Sequence, residues 1–374
     1  IDLLCEAGHA VSFIARDVER AGRVFDGRPV TLRQAPYGDT PPGQRITPPN
    51  SFAEVLLNSG YGDAADVRQR VQHWCELLAP CRADVIIADY SPGAVLAGRV
   101  LGARTIASGN GFYLPPALTP LPPFRYWLPA DRAQLARSEA RLLATLNSAL
   151  LGCGGRAVTS VTEALLPPET FVQSFAEFDH CYERPMASYL GAYPSAEFGA
   201  PPRWPAGSGP RVFAYLDPQV LLPDLLAAVA AAGARLCLYA PGVEATTVAA
   251  APDVAWMREP VDLTQAAAEA DAYLSNANIN SMMAFLLAGK PQLVVPYTLE
   301  KYLVGRRLEM LGAGLSAPRK SPGDVVAKLR AVLTQRSYRR AAEQFALRYA
   351  GGSEATLTAE MGRRLRLEGL PETT

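Results

Sequence analysis

The run from Ala270 to Pro318 constrains the fold of this chain more than any other stretch. An apolar strand, Ala272 to Leu274, opens into a polar turn, Ser275 to Asn280. An apolar helix follows, then a Gly-Lys-Pro break, a second strand from Gln292 to Val295 and a second helix. Strands and helices that alternate in this way build a parallel sheet, so the stretch predicts an α/β domain. Its polar turn joins the carboxyl end of a strand to the amino end of a helix. Free backbone N–H groups and the helix dipole favour a phosphate there, and a ligand site is expected.

The rest of the chain supplies room for a second domain. With 374 residues, 49% apolar and 19% charged, it can bury two cores of ordinary size. Lys and Arg together number 36, as do Asp and Glu, so no basic excess points to nucleic acid. The six cysteines are scattered without metal or disulfide spacing, which predicts reduced thiols and a cytoplasmic location. No apolar run reaches the roughly 18 residues of a membrane span, since Leu225 to Ala240 is interrupted by Gly233 and Arg235. No signal peptide is visible.

Ahead of the opening stretch, strands are predicted at Val11–Ala15, Val30–Gln34, Asp84–Asp89 and Arg104–Ala107, with helices at 52–78, 92–101 and 131–150. The Pro-, Gly- and Ser-dense run from Tyr193 to Pro210 reads as a domain boundary. A second alternating series begins beyond it: strand Arg211–Tyr215, helix Pro218–Ala232, and strands Leu236–Tyr239 and Val254–Met257. The expected organisation is therefore a first domain over 1–192, a linker over 193–210, a second domain over 211–350, and a carboxyl-terminal helix and tail over 351–374.

The opening stretch resembles the nucleotide-sugar glycosyltransferases of family 1, the GT-B group of plant, macrolide and glucuronosyl transferases. That family reads strand, His-Gly-Gly-x-x-Ser/Thr, two residues, Glu-Ala-Leu, two residues, Gly-x-Pro, strand, Pro, and then Asp/Glu-Gln. Ala288, Gly289, Pro291, Pro296, Glu300, Arg306 and Leu311-Gly312-Ala313-Gly314 stand where the pattern wants them. The centre departs from it. Asn276 takes the His position, Ala277 and Asn278 replace the two glycines, Ala284 replaces the ribose-holding Glu, and Glu300-Lys301 replaces the acid-Gln pair.

The resemblance implies two Rossmann-like domains with parallel sheets facing a cleft, the donor bound by the second and the acceptor by the first. It further implies a hexosyltransferase that moves a sugar from a UDP- or dTDP-sugar to a hydrophobic small molecule, inverting and metal-independent. The nucleotide sugar would be a co-substrate, with no cofactor besides. Family members carry one more strand, a loop and most of a helix before the position of Ile1, and the resemblance implies a natural product longer by that much.

Sugar transfer requires stabilising a diphosphate leaving group and deprotonating an acceptor hydroxyl. No DxD-like acidic pair is present for a metal, so the charge must fall on the helix amino end and nearby donors. Asn276, Asn278, Asn280 and Ser281 can each donate to phosphate oxygens; the asparagines could equally cap the helix. The acid-Gln pair that Glu300-Lys301 replaces grips the donor sugar in the family, which makes Glu300 and Lys301 the sugar-binding candidates. Glu300 can accept from sugar hydroxyls, and the positive charge of Lys301 would suit an acidic sugar or an extra phosphate. Trp256 lies near where the family stacks its base, and core packing is the competing account.

In the family the apolar loop from Gly109 to Pro129 lines the acceptor site, which makes Phe112, Tyr113 and Trp127 candidates; a surface loop packing its own aromatics is the alternative. An Asp at the place of Asp89 orients a catalytic His in the family, and that His would lie ahead of Ile1. Asp89 could instead cap the helix that follows. His180, in a turn beside Asp179, reads as structural. Two further functions fit the departures: a catalytically silent GT-B relative that binds a ligand or partner protein, and an isomerase such as a nucleotide-sugar 2-epimerase. The second is disfavoured by the scarcity of acidic and basic residues around the turn.

Overall fold

The computed structural model describes residues 1–181, 184, 189–193, 199–220, 223–244 and 254–366. The chain forms two compact units. One holds Ile1–Ser174, Cys181–Leu190 and Thr358–Thr374, the other Phe175–His180 and Gly191–Leu357.

All strand pairs of the first unit are parallel. β1 (Val11–Ala15) pairs with β2 (Val30–Gln34) as one two-stranded sheet. β3 (Ile86–Asp89), β4 (Thr105–Gly109) and β5 (Glu169–Val172) form a three-stranded sheet in that order. The central strand β4 is buried along its length, as parallel strands covered on both faces are, whereas β3 alternates and leaves Ile87 exposed. The helix Ala64–Leu78 covers this sheet. Its amino end is capped by Asp63, which accepts from Ala65 N and Asp66 N. Val67, Val71, Trp74 and Leu78, spaced by three and four, supply its buried stripe. Trp74 packs in one cluster with Ile86, Ala88 and Ala107, and burying a side chain the size of Ile86 stabilises the unit by about 1.5–3 kcal/mol. Arg104 fastens the end of the chain: it donates from Nε and Nη2 to Glu169, at 2.9 and 2.8 Å, and to the carbonyls of Arg364 and Leu365.

The second unit is a six-stranded parallel sheet. Its strands are β6 (Arg211–Tyr215), β7 (Arg235–Tyr239), β8 (Val254–Met257), β9 (Ala272–Ser275), β10 (Gln292–Val294) and β11 (Gly314–Ser316). The order is β11-β10-β9-β6-β7-β8. The chain winds outward from β6 to β8, returns beside β6 as β9, and winds outward the other way. The point where the winding reverses therefore lies between β6 and β9, where sheets of this kind bind ligands.

Alternation along the strands divides the core into two faces. On one, Phe213, Tyr273 and Phe285 stack, with Tyr273 and Phe285 centroids 4.1 Å apart and Phe213 and Phe285 5.5 Å apart. On the other, Val212, Ala214, Leu274 and Leu293 meet side chains of the helices Pro223–Ala231 and Pro322–Thr334. Of the expected linker, Ala200 makes a parallel bridge with Val261 and Trp204 Nε1 donates to Glu269 at 2.7 Å. Residues 194–198, and the tail 367–374, lie outside the described residues. Among the described residues no helix is long and apolar enough to cross a membrane.

Candidate functional site

At the reversal point Tyr215 of β6 and Ser275 of β9 are register partners, so the loops that leave these strands emerge side by side. Leu216 and Asp217 follow the first strand and Asn276 the second. Asn276 is buried, and its Nδ2 donates to Asp217 Oδ2 at 2.9 Å. The loop after β10 brings Tyr297, whose hydroxyl donates to the same oxygen at 2.6 Å. Lys301, in the first turn of the helix Leu299–Leu311, donates from Nζ at 2.9 Å. Its Nζ also lies 3.1 Å from the Tyr297 hydroxyl and 4.2 Å from the centre of that ring.

Desolvation works to raise the pKa of Asp217, but the hydrogen bonds from Tyr297 and Lys301 outweigh it and hold the carboxyl below the usual carboxylate range. Desolvation, reinforced by the Asp217 bond, raises the pKa of Tyr297 and keeps it a donor. Asp217 was not among the residues expected from sequence. Its signal there is slight, an acid two positions past an apolar strand. Only the sheet order reveals that β6 runs beside β9.

The turn itself is strained at one residue. Ala277 has φ +64° in a position where the resembling family carries glycine, and it is buried. Asn278 occupies the N-cap of the helix Ile279–Leu287, yet its side chain makes no capping bond. Asn278 and Asn280 are exposed. Ser281 is buried, and its hydroxyl donates to Asn278 O at 3.1 Å, so that its proton is directed into the turn. Of the four phosphate-binding candidates, one faces Asp217, one faces its own turn and two are exposed. Glu300 is half-buried in the same first helical turn as Lys301. Trp256 lies on the edge strand β8, with β7 and β6 between it and β9. It is half-buried against the core face opposite the Phe213 stack, and the Arg258 guanidinium lies 5.0 Å above its ring.

In the first unit Asp89 ends β3 beside Ser108 of β4. The residue presents surface to solvent, but protein atoms crowd its carboxyl and this desolvation raises its pKa. The next residue, Tyr90, has φ +39° and sets its ring 3.9 Å from that of Tyr113. Tyr113 meets Phe112 edge-on at 5.4 Å, and Phe112 stacks on Phe124 at 4.9 Å. A row of aromatic rings thus begins at the residue following Asp89. Trp127 packs edge-on against Tyr126 at 5.0 Å. His180 is buried in the 175–180 segment of the second unit. Among the described residues no group of three or more His, Cys, Asp or Glu side chains is placed to hold a metal ion.

No family model matches the chain, and no curated protein matches it. Solved structures do. The spinosyn rhamnosyltransferase SpnG, complexed with spinosyn aglycone, is 19% identical with a TM-score of 0.69, covering 98% of this chain and 94% of that one. The glycosyltransferase VinC, in complex with dTDP, is 18% identical with a TM-score of 0.66, covering 97% and 93%. The glycosyltransferase SnogD from Streptomyces nogalater is 15% identical with a TM-score of 0.61, covering 97% and 93%. The chain has the GT-B fold, with α/β units built on parallel sheets.

Proposed function

We propose that this protein transfers a hexosyl group from a nucleoside diphosphate sugar, with UDP or dTDP as the nucleotide, to a hydrophobic small-molecule acceptor. The observation that carries this reading is the set of polar side chains gathered at the β6/β9 reversal point, next to the amino end of the helix Ile279–Leu287. The fold shared with SpnG and VinC, one seen with an aglycone and the other with dTDP, supports it.

In the proposed reaction an acceptor hydroxyl oxygen attacks the anomeric carbon from the face opposite the leaving group. A carbon–oxygen bond forms, the bond from that carbon to the β-phosphate oxygen breaks, and the nucleoside diphosphate departs with the electron pair, inverting the centre. The leaving charge falls on the free N–H groups at the start of the helix, on the exposed amides of Asn278 and Asn280, and on Lys301, without a metal. Glu300 accepts from the sugar hydroxyls, and Trp256 flanks the base. Phe112, Tyr113 and Trp127 contribute apolar acceptor surface, and the acceptor's proton passes to a base positioned by Asp89.

Calorimetric titration of the folded protein with dTDP and UDP tests the reading, and micromolar binding is expected. Binding of neither nucleotide would overturn it. Turnover left unchanged both by Glu300→Ala and by the double variant Asn278→Ala, Asn280→Ala would overturn the roles given to the turn and its neighbour.

A further inference from the structure

Three donors from two connections converge on one oxygen of Asp217: an amide after β9, and a phenol after β10 with an ammonium in the first turn of the helix that follows it. A protein uses the same set to hold a phosphate oxygen. The carboxylate is open to replacement, since its side chain is 32% exposed, while Lys301, at 17%, is committed to it. The site stands beside a helix amino end and at the reversal point of the sheet, the two places where a parallel α/β sheet receives an anionic ligand. Nothing in this arrangement requires the bound anion to come from outside the chain.

We infer that Asp217 is an internal anion seated in the phosphate subsite, and that a diphosphate binds by displacing its carboxylate from Asn276, Tyr297 and Lys301. The inference rests on the reading of this turn as a nucleoside diphosphate site. Two anions cannot share one oxygen's worth of donors: the carboxylate and an incoming phosphate repel at a distance of a few ångströms, and desolvation strengthens that repulsion. Asp217 therefore sets donor affinity and donor selection. A ligand must bring enough other contacts, from base and sugar, to offset the displacement. A bare phosphate does not.

The test is calorimetric titration of the wild type, Asp217→Asn and Asp217→Ala with dTDP, UDP and inorganic pyrophosphate, at low and high salt, after thermal denaturation has shown which variants are folded. The asparagine keeps the shape and removes the charge; the alanine removes both, so either folded variant reports. At low salt each is expected to bind dTDP or UDP, and pyrophosphate, about tenfold or more tighter than the wild type, with the gain shrinking at high salt. Nucleotide binding that is equal or weaker in the variants would overturn the inference and leave the nucleotide-sugar reading standing. Pyrophosphate binding that tightens in the variants, with no binding of dTDP or UDP by any of the proteins, would uphold the internal anion and overturn the nucleotide-sugar reading.

Discussion

Asn276 and Asp217 are 59 residues apart in the chain and joined side chain to side chain at 2.9 Å. The bond spans the two central strands of the second sheet at the point where its winding reverses. It fixes the asparagine that stands in the family's histidine position, turning its amide toward a carboxylate of the same chain. Much of the turn's chemistry follows from that carboxylate.

Acid should loosen this network. The folded pKa of Asp217 lies below its unfolded value of about 3.9. Its bonds therefore contribute stability above that value and lose it as pH falls through the lower, folded pKa. The side chain is about a third exposed, so the contribution of Lys301 is expected to be no more than about 1 kcal/mol at neutral pH. Melting temperatures of the wild type and Lys301→Met between neutral pH and about pH 3 should converge as the pH falls. A gap that stays constant would mean that Lys301 acts through packing.

Ala277 is the second pressure point of the turn. A left-handed backbone costs a non-glycine residue about 1–2 kcal/mol, and a β-branched side chain tolerates it still less. Ala277→Val is expected to lower stability by about 2 kcal/mol or more. Ala277→Gly relieves the strain but gives up a buried methyl, about 0.8 kcal/mol, and frees the unfolded chain by about 0.4–1 kcal/mol. Its stability should thus stay within about 1 kcal/mol of the wild type. Denaturant midpoints measure both, and a tolerated valine would contradict the backbone described for this turn.

Much of the fold was legible because the signals are local. Apolar runs bounded by Gly, Pro or Asp placed β1, β2, β6 and β8 at the expected residues. Where a boundary moved, a turn intervened: the helix expected from Pro218 is seen over Pro223–Ala231, and Val220 N instead bonds Asp217 O in a turn. The strand expected from Asp84 is seen from Ile86. The polar turn between β9 and the helix Ile279–Leu287 was legible for the same local reason. Asp217 was not, because its partners come from loops brought together by strand order. Nor was the direction of the Ser281 hydroxyl, which one rotamer sets and no sequence spacing encodes.

Asp89 should show the signature of a group kept for function at a cost in stability. Its pKa is raised by desolvation, so its favourable contribution is present at acid pH and is lost as pH rises through the folded value. Asp89→Asn, which cannot ionise, is expected to equal or exceed the wild type in thermal stability at pH 7, with the difference vanishing at acid pH. If Asp89 positions the base as proposed, turnover falls in the same variant. A variant less stable at pH 7 would identify the ionised carboxylate as a structural partner instead.

Gly314 offers a test of the sheet beside the site. It opens β11 as the register partner of Gln292 in β10. A Cβ added there would lie 2.1 Å from the Gln292 carbonyl oxygen and 2.8 Å from Leu308 Cδ2. Backbone cannot step aside as a flexible side chain can, so alanine must push β11 away from β10 and disturb the helix Leu299–Leu311 that carries Lys301. Gly314→Ala is expected to destabilise the protein by about 3 kcal/mol, the upper end of overpacking costs. Gly323, with nothing within 4 Å of its added Cβ, serves as the control. Urea midpoints of the two variants should separate clearly, and equal midpoints would mean that β11 does not pack against β10 as closely as this register requires.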